Sequence, residues 1–132
     1  MEAIANGTNL AISRKESIEI CRLLRNKSTE RAKKIHENVI EKKEAVPYRV
    51  YNGSVPHRKG KVGPGRYPMK ASGRILSLIK SAEANAENKG MGKSLIISHI
   101  SVHKGETQSR YGRKMGKKAK RTHVKIIVVE KK

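Results

Sequence analysis

Apolar positions recur along the chain at two periods, and they divide it into helical and extended segments. ISRKESIEICRLL opens a helix at Ser13, with Glu16 three residues on as the partner of a capping box. Ile20, Leu23 and Leu24 make its apolar face, Ile18 and Cys21 widen it, and Asn26 and Lys27 end it. Ser28 caps a second helix in which Ala32, Ile35, Val39 and Ile40 recur at helical spacing. His36 lies on the same side as a packed or edge histidine. Pro47 closes that element, because the residue before a proline avoids the helical region. The longest helix begins at Pro68, a residue suited to a first turn. Ala71, Ile75, Leu78, Ile79, Ala82 and Ala86 form one stripe over about four turns, and Gly90 fits a left-handed C-terminal cap. Ser94–Val102 (SLIISHISV) and His123–Val129 (HVKIIVV) are rich in β-branched residues and read as strands. Asn9–Ile12 supplies a short third. The pattern predicts an α+β fold, three helices packed on a small three-stranded antiparallel sheet.

Two segments break this periodicity. The stretch from Pro47 to Pro68 holds all four prolines and four of the eleven glycines, and predicts a long irregular loop. Lys104 to Arg121 joins the last two strands with eight Lys or Arg against one acid, Glu106. If the flanking strands pair as an antiparallel hairpin, this segment becomes its protruding basic end, with Gly112 and Gly116 suited to the turns. At 132 residues the chain is expected to form one domain, residues 1–132, with the hairpin extension at about 103–123. The absence of Trp and Phe leaves the core to Ile, Leu, Val, Ala and Met.

Charge changes the picture most. The formal net charge is +20, an excess that destabilises the isolated compact state and attracts polyanions. Residues 42–70 and 104–121 each carry eight cations and one acid, so most of the excess lies on the loop and the arm. Two like-signed runs in loop-like sequence point to nucleic acid. One cysteine, Cys21, excludes an internal disulfide and offers no zinc framework. No apolar run approaches the roughly 18 residues of a membrane span, and the N-terminal residues lack a signal-peptide core. The chain is therefore expected to be cytoplasmic, without membrane insertion.

Catalytic chemistry finds little footing. His99 and His103 would lie about 13 Å apart along a strand, too far to share an ion, so no metal or other cofactor is expected. Gly60–Tyr67 nearly spells a phosphate-binding loop, but Arg66 and Tyr67 replace the required Lys and Ser/Thr. Glu16, Glu19, Glu30, Glu37, Glu41, Glu83 and Glu87 fall on helix faces as solubilising groups and local ion pairs. Cys21 sits on an apolar face and reads as core. The chain is not expected to be an enzyme. Tyr51, Tyr67 and Tyr111 lie among cations, where a ring can stack on a base; for Tyr48 and Tyr51 a place at the core edge fits equally. Because the charge sits on loops and an arm, irregular folded RNA suits it better than a DNA groove. A DNA-architectural protein with basic arms is the alternative.

Val46-Pro47-Tyr48-Arg49, Tyr51-Asn52, His57-Arg58-Lys59-Gly60, Gly65-Arg66-Tyr67-Pro68 and Ala82-Glu83-Ala84-Asn85-Ala86-Glu87, in this order, resemble the archaeal and eukaryotic branch of the large-subunit ribosomal protein twenty-two family. His99-Ile100, His103-Lys104-Gly105 and the strand around His123 fit as well, and the likeness extends from about Leu10 to Val129. The resemblance implies a structural constituent of the large subunit that binds its rRNA, supports assembly and helps line the nascent-peptide exit tunnel. It implies neighbouring ribosomal proteins and the nascent peptide as further partners, and one copy per large subunit. Carried over by position, it implies RNA contacts from Arg14 and Lys15, and from Arg49, His57, Arg58, Lys59, Lys61, Arg66 and Lys70 in the loop. In the hairpin it implies Arg110, Tyr111, Arg113, Lys114, Lys117, Lys118, Lys120 and Arg121. Arg113, Lys114, Met115, Gly116 and Lys117 would form the tunnel-facing tip. Family hairpins carry a longer tip with prolines and an aromatic; here Met115 stands in the aromatic's place.

Overall fold

Small residues hide the first strand. The computed structural model describes residues 1–113 and 116–130. It begins with β1 (Glu2–Leu10), where the pattern had suggested only Asn9–Ile12. Ala3, Ala5 and Gly7 face inward and Glu2, Ile4 and Asn6 outward, an alternation that is a strand's signature but carries little apolar weight. Smallness is what the position requires: a Cβ on Gly7 would stand 2.6 Å from Leu78 Cδ1.

Helices α1 (Arg14–Leu24) and α2 (Thr29–Ile40) follow. The capping box expected at Ser13 does not form, since its side chain makes no cap bond and Glu16 turns instead into a groove beside the arm. Ser28 does cap α2, its Oγ accepting from the Arg31 N–H at 3.3 Å. The connector between the two helices is stitched to the sheet: Asn26 N–H donates to the Ile97 carbonyl and Ile97 N–H to that of Lys27. α2 ends at Ile40, well before Pro47, in a turn that takes Lys42 to a φ of 61°.

The segment expected to be an irregular loop contains three short strands, β2 (Val46–Pro47), β3 (His57–Arg58) and β4 (Gly63–Arg66), ordered β2-β4-β3. α3 (Met69–Asn88) starts directly after Pro68 and buries Ala71, Ile75, Ile79, Ala82 and Ala86. Its end is a paired turn in which Met91 N–H reaches the Ala86 carbonyl and Gly90 N–H that of Glu87, with Gly90 at φ 70°. β5 (Leu95–Lys104), β6 (Gln108–Ser109), β7 (Lys118–Ala119) and β8 (Thr122–Glu130) complete the chain.

The main sheet is antiparallel with order β1-β8-β5. The expected pairing of the last two long strands is present, from Leu95↔Glu130 to Lys104↔Thr122, with an irregularity between Ile97 and His99. All three helices lie over the face formed by Ala3, Ala5, Ile97, Ile100, Val124, Ile126 and Val128. The core is aliphatic apart from Tyr48, and it encloses Cys21, whose thiol burial pushes up to about 12.

His36 is also enclosed, at 1% exposure, and neither ring nitrogen has a hydrogen-bond partner among the described residues. Burial pushes its pKa down to about 4. The folded protein therefore binds fewer protons than the unfolded chain between about pH 6.5 and 4. Stability present above that window should fall as pH drops through it, by on the order of 3 kcal/mol. Replacing His36 by Leu should flatten this decline; denaturant melts of the two proteins that stay parallel from pH 7 to pH 4 would contradict it.

Candidate nucleic-acid interface

A buried carboxylate organises the basic loop. Glu19, which its helix position had marked as a solubilising acid, is 1% exposed on α1. It accepts from the backbone N–H groups of Arg49 (3.0 Å), Val50 (2.9 Å) and Tyr51 (2.7 Å). Burial alone would raise its pKa, but these three donors and the Arg22 charge outweigh it and hold the carboxyl below its ordinary value. The loop's other end is tied by Tyr48 N–H to the Pro64 carbonyl at 2.8 Å and by Arg58 Nε–H to that of Gly65 at 3.0 Å. Gly65 is confined: an added Cβ would meet the Val46 carbonyl, Arg58 and Val62, each at 3.2 Å.

This frame leaves the cations outside. Arg14, Lys15, Arg49, His57, Lys59, Lys61, Arg66 and Lys70 are exposed, while Arg58 is half-buried. Two cations are laid over rings: Arg58 Cζ is 5.2 Å from the Tyr67 centroid and Lys15 Nζ 5.5 Å from that of Tyr51. Tyr48 belongs to the core. Among the described residues, ion pairs join Arg31 to Glu44, Lys33 to Glu83 and Lys43 to Glu41. All three therefore serve α2 and the turn that follows it. None involves a described candidate from the loop or the arm.

The arm continues β5 and β8. At its neck Gly105 N–H donates to the Arg121 carbonyl at 2.9 Å, and a Cβ on Gly105 would stand 3.0 Å from the Arg121 backbone. β6 and β7 then pair through Gln108↔Ala119 and Ser109↔Lys118, and Arg110 N–H reaches the Lys117 carbonyl. Arg110, Tyr111, Arg113, Gly116, Lys117, Lys118 and Lys120 are exposed, with Tyr111 wholly so. Lys114 and Met115 lie outside the described residues.

The fold brings part of the candidate set together. Lys70, Arg110, Lys118, Lys120 and Arg121 line one groove at the arm's base, Lys15, Arg66 and Lys120 a second, and Arg14, Lys15, Lys120 and Arg121 a third. His57, Lys59 and Lys61 line none of these three. The sequence reading missed Lys104, which joins the third groove, although its place in the basic run signalled it. It also missed Glu19, for which no local pattern distinguishes a buried acid from a solvated one. Among the described residues no group of three His, Cys, Asp or Glu side chains is placed to hold a metal, and no helix is long and apolar enough to cross a membrane.

Glu19→Gln should cost about 1–3 kcal/mol, since an amide offers one acceptor oxygen where three donors converge. Amide exchange at Arg49–Tyr51 should accelerate more than in the core, and equal protection in both proteins would count against the pin. Glu19's depressed pKa stabilises above its unfolded value near 4.5 and is lost as pH falls through the folded one. Gly105→Ala should leave the core's melting nearly unchanged but displace the arm, read as altered chemical shifts confined to residues 104–122. Shifts spread through α3 would show that the neck is not local.

The chain matches the family model described as ribosomal protein L22p/L17e over residues 5–129. It is 43% identical to the large ribosomal subunit protein uL22 of Methanococcus aeolicus, an alignment covering 97% of this chain and 89% of that one. Against the uL22 proteins of Staphylothermus marinus and Archaeoglobus fulgidus identity is 39% and 42%, over 92% and 83% of this chain and 85% and 72% of theirs. With three helices on an antiparallel sheet, and a matched region reaching from β1 through the arm to β8, the chain belongs to the ribosomal protein L22p/L17e family.

Proposed function

We propose that the basic loop and arm are the rRNA-binding surface of a structural protein of the large ribosomal subunit. The observation that carries this reading is where the charge is left open: the three ion pairs among the described residues all involve cations of α2 and its turn, while the exposed cations of loop and arm have no ion-pair partner among those residues. Such cations gain by displacing counterions from phosphates, an interaction that weakens steeply with salt. As a member of its family the chain is a ribosomal protein with rRNA and neighbouring ribosomal proteins as partners, and its role is structural rather than enzymatic.

The finer assignments extend that reading. The whole chain acts as one unit, with the hairpin at about 103–123 as its extension into RNA, and it is present once per large subunit. Binding both globular part and arm supports subunit assembly. The tip, with Arg113, Gly116 and Lys117 beside Lys114 and Met115, faces the exit tunnel, where a nascent peptide can touch it. Exposed Tyr111, flanked by Arg110 and unsupported by any core contact, is suited to stack on an unpaired base.

Sedimentation of a native lysate in low and high salt tests the reading. The protein should run stoichiometrically with the large subunit and survive the high-salt wash; absence from that fraction would mean looser nucleic-acid binding. Within the arm, Lys117→Ala should weaken RNA binding mainly through charge, lowering the salt slope by about one. Arg113→Ala should cost more affinity, because a guanidinium also binds bidentately or stacks. Identical affinities and slopes for the two variants would contradict the distinction.

A further inference from the structure

A cleft of about 350 Å³ lies where the base of the arm meets the N-terminal ends of α1 and α3. Lys70 enters it from the start of α3, Arg110 from the outgoing side of the arm, and Lys118, Lys120 and Arg121 from the returning side. Among the described residues Glu16 is the only carboxylate on its walls, so the cleft is strongly positive. None of the five cations forms an ion pair among the described residues. The Nε of Arg121 is buried without a hydrogen-bond partner among the described residues, and a charged donor left in that state is costly.

The cleft is not isolated. Two adjoining grooves share Ser13 and Lys120 with it, one running past Lys15, Tyr51 and Arg66, the other past Arg14, Lys104 and Thr107. A single small anion needs one pocket. Three confluent cationic grooves, one bordered by an aromatic ring, suit successive phosphates of a nucleic-acid strand.

Resting on the RNA-binding reading above, we infer that this cleft is a backbone-phosphate clamp: an RNA phosphodiester seats between arm and body, with Arg121 and Lys120 as its principal ligands. The bound strand then joins the arm's base to the helices, a connection the protein makes sparingly by itself. Arg121 is placed for this by the Gly105 neck, which holds its carbonyl and backbone while the residue lines the cleft. The charge on Lys120, at the confluence of all three grooves, serves every path through them.

Binding of the full chain to deproteinised large-subunit rRNA over a salt series tests the clamp. Ala119 lines the cleft from β7, so Ala119→Leu obstructs it without changing charge. Affinity should fall by about tenfold, with a salt slope lower by about one. Arg121→Gln should do at least as much, and Lys34→Ala, on the exposed side of α2, should have little effect. Thermal melts of each variant establish that it is folded. Wild-type affinity in both cleft variants, with the parent still binding in a salt-dependent manner, would overturn the clamp and leave the RNA reading standing. Failure of the parent itself to bind would overturn both. Inorganic phosphate alone, if it stabilised the parent but not Arg121→Gln while RNA affinity was unchanged, would make this a free-anion pocket and also overturn the clamp.

Discussion

β8 is paired on both edges, and the rest of the molecule depends on that constraint. β1 and β5 bond to its two sides, the helices cover the face containing Val124, Ile126 and Val128, and its N-terminal end is the returning side of the basic arm. A strand hydrogen-bonded on both sides and buried on one face has a strongly specified register, since a one-residue slip would turn its apolar set to solvent. The arm inherits that register. Beyond Lys104↔Thr122 few contacts hold it, yet the close approach of Gly105 to Arg121 carries the direction of the sheet into the first residues of the extension.

The electrostatics follow from this division into a supported body and a projected surface. Within the body, some charge is matched: Lys33 meets Glu83 between α2 and α3, and the Glu19 carboxylate is satisfied by three backbone donors. Even there the matching has limits, for His36 is held neutral in apolar surroundings. On the loop and arm, cations outnumber acids, and most of the described ones are exposed. A protein with this layout is incomplete as an electrostatic object, and a polyanion would supply what the chain lacks. The two parts meet at α1, whose Glu19 pins the loop and whose first residues border the clefts beside the arm.

Much of the fold was legible where one residue type dominated a local pattern. The α3 stripe, the Gly90 cap, the Ser28 cap and the β5–β8 hairpin could be read because apolar periodicity and glycine chemistry act over a few residues. β1 escaped because Ala3, Ala5 and Gly7 are inward for reasons of space, set by Leu78 of a helix far away in the chain. The small sheet of β2, β3 and β4 escaped because proline and glycine normally signal irregular backbone. Ser13 and Glu16 matched a capping motif but were drawn to other surroundings.

The candidate surface divides in the same way. Sequence by itself determined which residues carry the positive charge, that they cluster in the loop and the arm, and that the family motifs surround them, since composition and order need no folding to be read. Only the tertiary structure decided which of those cations converge. It selected Lys70, Arg110, Lys118, Lys120 and Arg121 around one cleft, left His57, Lys59 and Lys61 apart, and made Glu19 a buried pin instead of a surface acid. The reason is physical: charge belongs to a side chain, but burial and convergence depend on which distant backbone is packed beside it.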